Sequence, residues 1–161
     1  MDRPVWLLDV DGVINVGWPG WGGPTRAGNA YSAGIEFRIR WAPALIARIR
    51  ALHERSAVDI RWCSTWCCDA DQLERLFSLP AFDRAWTADI NGPVAAAAKL
   101  AAARQVLAEG RRLIWTDDTE TPTSGPVYEE LTRDGRALLI APHWRRGLQP
   151  EHLEAIEAFA S

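Results

Sequence analysis

The sequence has little of what marks several broad classes of protein. Its 161 residues include three cysteines and one lysine, and no apolar run approaches the roughly 20 residues that a membrane-spanning helix needs. Cys63, Cys67 and Cys68 are too few and too closely spaced for a disulfide framework. They also lack the second pair of ligands that a structural zinc site requires. We therefore expect reduced thiols without a chemical role.

The charge balance also excludes some classes. A net charge of −3 and a pI near 5.6 argue against a protein held to nucleic acid mainly by bulk charge. The apolar stretch behind the N-terminus is interrupted by Asp9 and Asp11, unlike a secretory signal. These features predict a cytoplasmic protein with no membrane partner. The length and the 48% hydrophobic content predict one folded domain over residues 1–161.

Strand and helix patterns alternate along the chain. Five mostly continuous apolar runs, typical of strands covered on both faces of a parallel sheet, are Trp6–Val10, Val58–Ser64, Phe82–Trp86, Arg112–Thr116 and Ala137–Ala141. The helical patterns are Ala42–Glu54, Ala70–Leu79, Pro93–Ala108, Val127–Thr132 and Glu151–Phe159. This alternation predicts an α/β, doubly wound, Rossmann-like fold with a mainly parallel five-stranded sheet.

Residues 15–42 interrupt the alternation. They include the Gly-, Pro- and Trp-rich stretch Gly17–Pro24 and then a segment, Ile35–Trp41, in which apolar and charged residues alternate. This alternation is typical of a half-buried strand. We predict a short β-flap with a loop tip, inserted directly after the first strand.

Acidic pairs lie at the carboxyl ends of two of the predicted strands. Asp9 and Asp11 lie at the end of the first strand, and Asp117 and Asp118 directly follow the fourth. Buried carboxylates are unfavourable unless they are paired with a cation or with each other. The carboxyl ends of strands in such sheets are also where ligands bind. Each pair taken alone could instead cap a helix or form a turn.

Two further polar features lie between these pairs. Ser64 and Thr65 end the second strand, where either could cap the next helix, and Lys99 lies early in an alanine-rich helix, where a lysine is usually solvated. Together with the acidic pairs, the order resembles the haloacid dehalogenase (HAD) superfamily of phosphotransferases. That family has a strand ending Asp-x-Asp, a strand ending in Ser or Thr, a lysine, and a strand ending in an acidic pair. The resemblance covers essentially the whole chain.

The resemblance implies roles for these residues. Asp9 would be the nucleophile and Asp11 the general acid and then the general base. Because dehalogenase members lack the second aspartate, the presence of Asp11 favours phosphoryl chemistry. Lys99 would neutralise charge near Asp9. Ser64 or Thr65 would bind a phosphoryl oxygen, and the strand pattern favours Ser64.

The resemblance also implies a Mg²⁺ cofactor, which prefers oxygen ligands. Its ligands would be Asp9, the backbone carbonyl of Asp11, and Asp117 or Asp118, with the choice between the last two open. The site would be that of a capless member. Such a site admits large substrates, such as nucleic-acid ends or phosphoproteins, or is covered by an oligomeric partner such as a second copy in a homodimer.

Tryptophan is abundant, with nine residues. We expect Trp6, Trp62, Trp86 and Trp115, which lie in strand runs, to be core residues. Trp18, Trp21 and Trp66 either stack on a substrate base or fold back against the protein. Arg38, Arg40, Arg145 and Arg146 either steer an anionic substrate or are simply solvated.

The spacing of Trp62 and Trp66, with Trp115 ahead of the acidic pair, is similar to HAD domains of multi-enzyme "Swiss Army Knife" RNA-repair proteins. This favours a phosphomonoester hydrolase acting on nucleotide or nucleic-acid-end phosphates. Two alternatives stay open. One is a non-catalytic module that binds a phosphorylated ligand, and the other is a phosphotransferase whose acceptor is not water.

Overall fold

A computed structural model describes residues 2–161 of the chain. The strands are β1 (Val5–Leu8), β2 (Arg26–Ser32), β3 (Ile35–Trp41), β4 (Asp59–Trp62), β5 (Asp83–Arg84), β6 (Leu113–Thr116) and β7 (Ala137–Ile140). The helices are α1 (Pro43–Glu54), α2 (Ala70–Phe77), α3 (Pro93–Ala108), α4 (Pro126–Thr132) and α5 (Pro150–Ala160), with a 3₁₀ turn at Cys67–Asp69. All ten predicted elements of the sheet and its helices are present, most of them shorter or longer by one or two residues at an end.

Five strands form one parallel sheet in the order β5-β4-β1-β6-β7. Helices cover both faces, because alternate residues of each strand point to opposite sides. Trp6 and Leu8 of β1 pack with α1, α2 and α5, whereas Val5 and Leu7 pack with α3 and α4. The predicted doubly wound α/β fold is confirmed. No helix within residues 2–161 is both long and apolar enough to cross a bilayer.

The edge strand β5 is shorter than predicted. Only Asp83 and Arg84 pair with β4. Edge strands are commonly short and charged, which limits their pairing with other chains. Trp86 therefore lies beyond the strand and is only partly buried. Trp86 still packs against the core on both sides of the sheet, so its predicted core position is confirmed in part, while Trp6, Trp62 and Trp115 are fully buried in the core.

The flap is the antiparallel hairpin β2–β3. Its tip is the turn at Ala33 and Gly34, both at positive φ, so the Gly17–Pro24 stretch precedes the hairpin and is not its tip. The half-buried pattern holds only at the base, where Ile39 and Trp41 are buried. Ile35 and Phe37 are 59% and 42% exposed because the end of the hairpin extends past the helices that cover its base.

The loop after β1 is held by the loop that precedes α5. The N–H of Leu148 donates to the carbonyl of Val13 at 2.9 Å. Gly147 allows this approach, since it has a positive φ and an added Cβ would lie 2.3 Å from the Val13 oxygen. The contact fixes the segment that carries the first acidic pair.

Replacing Gly147 by alanine tests this contact. We expect G147A to lower the free energy of unfolding by about 2–4 kcal/mol, because left-handed strain adds to a clash with backbone. Gly135 has nearly the same φ and open space around it, so G135A should lose only about 1 kcal/mol. Urea denaturation of both variants measures the difference, and equal losses would contradict a close loop contact.

Candidate active site

The candidate site lies at the carboxyl ends of β1, β4 and β6, the three central strands. Leu8 of β1 pairs in register with Thr116 of β6, so the next residue of each strand, Asp9 and Asp117, are neighbours. The N–H of Asp9 donates to the carbonyl of Thr116 at 3.2 Å. Both aspartates are buried, which places two carboxylates side by side in the protein interior.

Lys99 joins these two carboxylates. Its Nζ lies 2.6 Å from Asp117 Oδ2 and 3.2 Å from Asp9 Oδ2, and it is itself buried on α3. The lysine therefore belongs to the site and is not the solvated residue of a helix surface. A buried charge cluster of this kind is tolerated only when each charge has a partner.

Asp118 completes the acidic group. One ligand oxygen from each of Asp9, Asp117 and Asp118 lies within 4.8 Å of the others. The Asp118 carboxylate occupies the space beside Gly12, where a Cβ would lie 2.2 Å from Oδ2. Gly12 also has a φ of +74°, so the glycine after Asp11 gives both the backbone turn and the room for Asp118.

The electrostatics of the group favour a bound cation. Burial, and then repulsion from Asp117, raises the pKa of Asp9 well above its usual value, with Lys99 acting in the opposite direction. Burial and Asp117 likewise raise the pKa of Asp118. Burial alone would lower the pKa of Lys99, but the Asp9 and Asp117 carboxylates outweigh it and raise that pKa. One ammonium is therefore not enough to balance three carboxylates.

The donor set fits a hard divalent ion such as Mg²⁺, which takes carboxylate oxygens. With all groups ionised, three carboxylates and one ammonium leave a net negative charge for the ion to balance. Asp117 has the fewest lone pairs free for a metal ion. Its Oδ1 accepts from the backbone N–H groups of Thr119 and Glu120, and its Oδ2 accepts from Lys99. Asp118 has no such contacts with side chains or loop amides among the described hydrogen bonds. This favours Asp118 over Asp117 as the direct ligand.

Asp11 lies in the same open cavity but outside the acidic group. Its Oδ1 accepts from Asn15 Nδ2 at 2.8 Å, and its Oδ2 accepts from Trp66 Nε1 at 3.1 Å. The side chain of Asp11 is thus not part of the acidic group, and the expected metal contact concerned only its backbone carbonyl. The carboxylate is available for proton transfer at the mouth of the cavity.

The prediction that Ser64 faces the phosphate is not supported. β4 ends at Trp62, two residues earlier than predicted, so the side chains of 64 and 65 no longer follow the strand alternation. Ser64 is buried, with its Oγ accepting from the Trp66 N–H at 3.2 Å. Thr65 is exposed and lines the cavity, so it is the residue of the pair that can reach a ligand.

Two of the three tryptophans considered for stacking fold back against the protein. Trp66 is 4% exposed, so no base can stack on its ring. Trp21 is partly buried and donates from Nε1 to the carbonyl of Leu148 at 2.8 Å. Trp18, in contrast, is 74% exposed. The backbone N–H of Trp18 donates to the carbonyl of Arg145 at 2.9 Å, which places Trp18 next to the loop that follows β7.

Sequence reasoning missed Asn15 and Trp144, which also line the cavity. Trp144 is 58% exposed, and the Arg145 guanidinium lies 4.8 Å from its ring centroid. Its position could have been noticed in the sequence, because Trp144 follows the last predicted strand, at the edge of the sheet where ligands bind. The three cysteines, by contrast, are free, and Cys63 and Cys67 are buried.

The cavity that these residues line is open to solvent at the sheet edge and has a volume of about 490 Å³. Asp9 and Lys99 lie at its base, and Thr65, Asp118 and Trp144 line its sides. Comparison of the chain with models of protein families, with curated proteins and with solved structures found no match. The chemistry is therefore inferred from the site itself.

Replacing Lys99 by methionine tests the buried charge cluster. We expect K99M, measured with a chelator present, to unfold about 3–5 kcal/mol more easily, because it leaves Asp9 and Asp117 buried without a counter-charge. The double variant D9N/K99M removes one carboxylate and should recover part of the loss. Urea denaturation measures both, and a K99M protein as stable as the parent would contradict a buried ion cluster.

Replacing Gly12 by alanine tests the role of Asp118 in metal binding. The new Cβ collides with the Asp118 carboxylate, so we expect at least a tenfold loss of Mg²⁺ affinity by calorimetric titration. Gly22 has a similar positive φ and no atom within 4 Å of an added Cβ, so G22A controls for backbone strain. Unchanged affinity in G12A would contradict a metal site that needs the Asp118 carboxylate in the position beside Gly12.

Proposed function

We propose that the protein is a Mg²⁺-dependent phosphomonoester hydrolase of the HAD type that works through an aspartyl-phosphate on Asp9. The observation that carries this proposal is the buried Asp9–Lys99–Asp117 cluster at the base of an open cavity, where Asp118 and Asp11 also lie. Binding a phosphate would not by itself need a carboxylate at the base of the pocket, since like charges repel. A nucleophilic carboxylate with a neighbouring cation suits phosphoryl transfer.

In the first step a carboxylate oxygen of Asp9 attacks phosphorus. Lys99 holds Oδ2, so Oδ1 is the oxygen assigned to the attack. The bond between phosphorus and the ester oxygen breaks, and Asp11 gives its proton to the departing oxygen. The products of this step are the free alcohol and a phosphorylated Asp9.

In the second step water removes the phosphoryl group. Asp11, now a carboxylate, takes a proton from a water molecule whose oxygen attacks phosphorus. The bond between phosphorus and the Asp9 oxygen breaks, which releases inorganic phosphate and restores both aspartates. Splitting one displacement into two easier ones is the usual advantage of a covalent nucleophile.

The charge of the phosphoryl group is balanced by residues at the base of the cavity. Lys99 stands beside the attacking carboxylate, and the hydroxyl of Thr65, which lines the cavity, would donate to a phosphoryl oxygen. Mg²⁺, held by Asp9 and Asp118 with Asp117 beside them, would reduce the repulsion between an anionic nucleophile and an anionic phosphate.

The rim of the cavity favours a phosphate ester with an aromatic base. Trp144 lines the cavity with an exposed ring, and Trp18 is exposed on the adjacent loop. Aromatic side chains stack on nucleobases with little preference between them, and Arg145 adds positive charge beside Trp144. Because the segment between β1 and α1 contains a hairpin and not a folded cap, a long substrate can reach the site. We therefore propose nucleotides or nucleic-acid ends as the substrate class.

Phosphate release with and without Mg²⁺ tests the proposal. The substrates are p-nitrophenyl phosphate, mononucleotides, and oligonucleotides phosphorylated at the 5′ or the 3′ end. We expect Mg²⁺-dependent release that D9A reduces by at least 10³-fold, because the nucleophile is lost. Asp134 is exposed on a distant turn, so D134A is the matched control and should keep full activity.

The other outcomes separate the alternatives. Undiminished turnover by D9A would overturn the nucleophile assignment. Tight binding of a phosphorylated ligand without release would favour a binding module, and release that requires an added alcohol would favour a phosphotransferase.

A further inference from the structure

Both oxygens of the Asp11 carboxylate are held by nitrogen donors. Asn15 donates to Oδ1 and Trp66 to Oδ2, at 2.8 and 3.1 Å. An exposed aspartate at the mouth of a cavity would otherwise sample several rotamers. Two donors on opposite oxygens restrict the carboxylate to one orientation.

Trp66 is itself held in place. Its ring is buried, and the Phe37 ring of the flap packs against it edge to face, with centroids 5.5 Å apart and an angle of 75°. Its backbone N–H donates to Ser64 Oγ. The indole N–H therefore cannot turn away from Asp11 without displacing the Phe37 ring of β3.

Asn15 is held by the same strand. Its Oδ1 accepts from the backbone N–H of Arg40 at 2.9 Å, so its amide nitrogen must face the other way, towards Asp11. The Val16 N–H also donates to the Arg40 carbonyl at 3.1 Å. Both donors of Asp11 thus depend on one strand of the flap, one through the Phe37 ring and the other through the Arg40 main chain.

We propose that Trp66 and Asn15 are positioning residues that orient Asp11 for proton transfer, and that strand β3 of the flap sets this orientation. The inference rests on the proposed role of Asp11. General acid catalysis requires the donor within hydrogen-bond reach of the departing oxygen, and a small misplacement has a large kinetic effect. The flap thereby acts on the proton-transfer step.

The first test replaces Trp66 by phenylalanine, which keeps an aromatic ring and removes the N–H. Because kcat/KM covers the steps up to the departure of the leaving group, it reports on Asp11 as the acid. An alkyl ester such as a 5′-mononucleotide needs that proton more than p-nitrophenyl phosphate does. We expect W66F to lower kcat/KM for the alkyl ester about tenfold or more, and for the aryl ester much less.

The matched control is W62F. Trp62 is also buried and also donates from its indole N–H to a carboxylate, Glu74 Oε2, at 3.1 Å. This variant should lose stability but leave the ratio of alkyl to aryl activity unchanged. An equal fall for both esters in W66F would overturn the positioning role, since that is the effect expected of a merely structural residue.

A double-mutant cycle tests whether Trp66 acts through Asp11. In a D11N background W66F should have no further effect on the alkyl ester, because the amide that replaces the carboxyl group cannot act as a general acid. Additive losses would overturn the proposal.

On the flap, F37A should shift the ratio of alkyl to aryl activity as W66F does, whereas I35A, on the same face nearer the tip, should not. Equal shifts in these two variants would overturn the link to the flap.

A readout that needs no activity separates this inference from the proposed function. In protein labelled with ¹⁵N-tryptophan, the indole N–H signal of Trp66 is the one missing from W66F. We expect this signal to move in D11A and in F37A, since its acceptor or its packing partner has changed. A signal unmoved in D11A would show that the Trp66 indole does not bind Asp11, and would overturn the positioning role whatever the activity. If no ester releases phosphate but the signal still responds, the proposed function is overturned, and with it the catalytic purpose of this positioning.

Discussion

The rest of the site depends on one buried cation shared between two buried carboxylates. Lys99 lies between Asp9 and Asp117, and without it two negative charges would stand side by side where water cannot solvate them. Desolvation is what raises the pKa of Asp9, and the ion pairs are what allow that carboxylate to remain at the base of a cavity. The cluster therefore ties α3 to the carboxyl ends of β1 and β6.

The acidic site has a buried half and an exposed half, and different parts of the protein hold their side chains in place. Asp9, Asp117 and Lys99 are held by the sheet and by α3. Asp11 is held from outside, by Trp66 and Asn15, which contact the flap. A nucleophile and a proton donor both need a fixed position, but here different parts of the protein fix them. The division places Asp11 next to the element that is least covered by the rest of the protein.

Much of the fold followed from local pattern, and the exceptions share a cause. Continuous apolar runs and helical spacing identified the sheet and its helices, because burial on both faces needs apolar residues at every position. The pattern failed where the environment changes along one element. β4 ends before Ser64, so Thr65 and not Ser64 faces the cavity. The base of the hairpin is covered and its end is not, so Ile35 and Phe37 are exposed despite an alternation that predicts a half-buried strand.

The sequence by itself determined the sheet, the two acidic pairs at its carboxyl edge, and the order that singled out Lys99. These are properties of neighbours along the chain, which local chemistry constrains. Only the tertiary structure decided which groups meet. In the folded protein Lys99 contacts both carboxylates, and Asp118 lies beside Gly12. Trp66 binds Asp11 and is not free to stack on a base. Trp144 lines the cavity. Such contacts join residues that are tens of positions apart, and nothing in the spacing of either partner records where the other one lies.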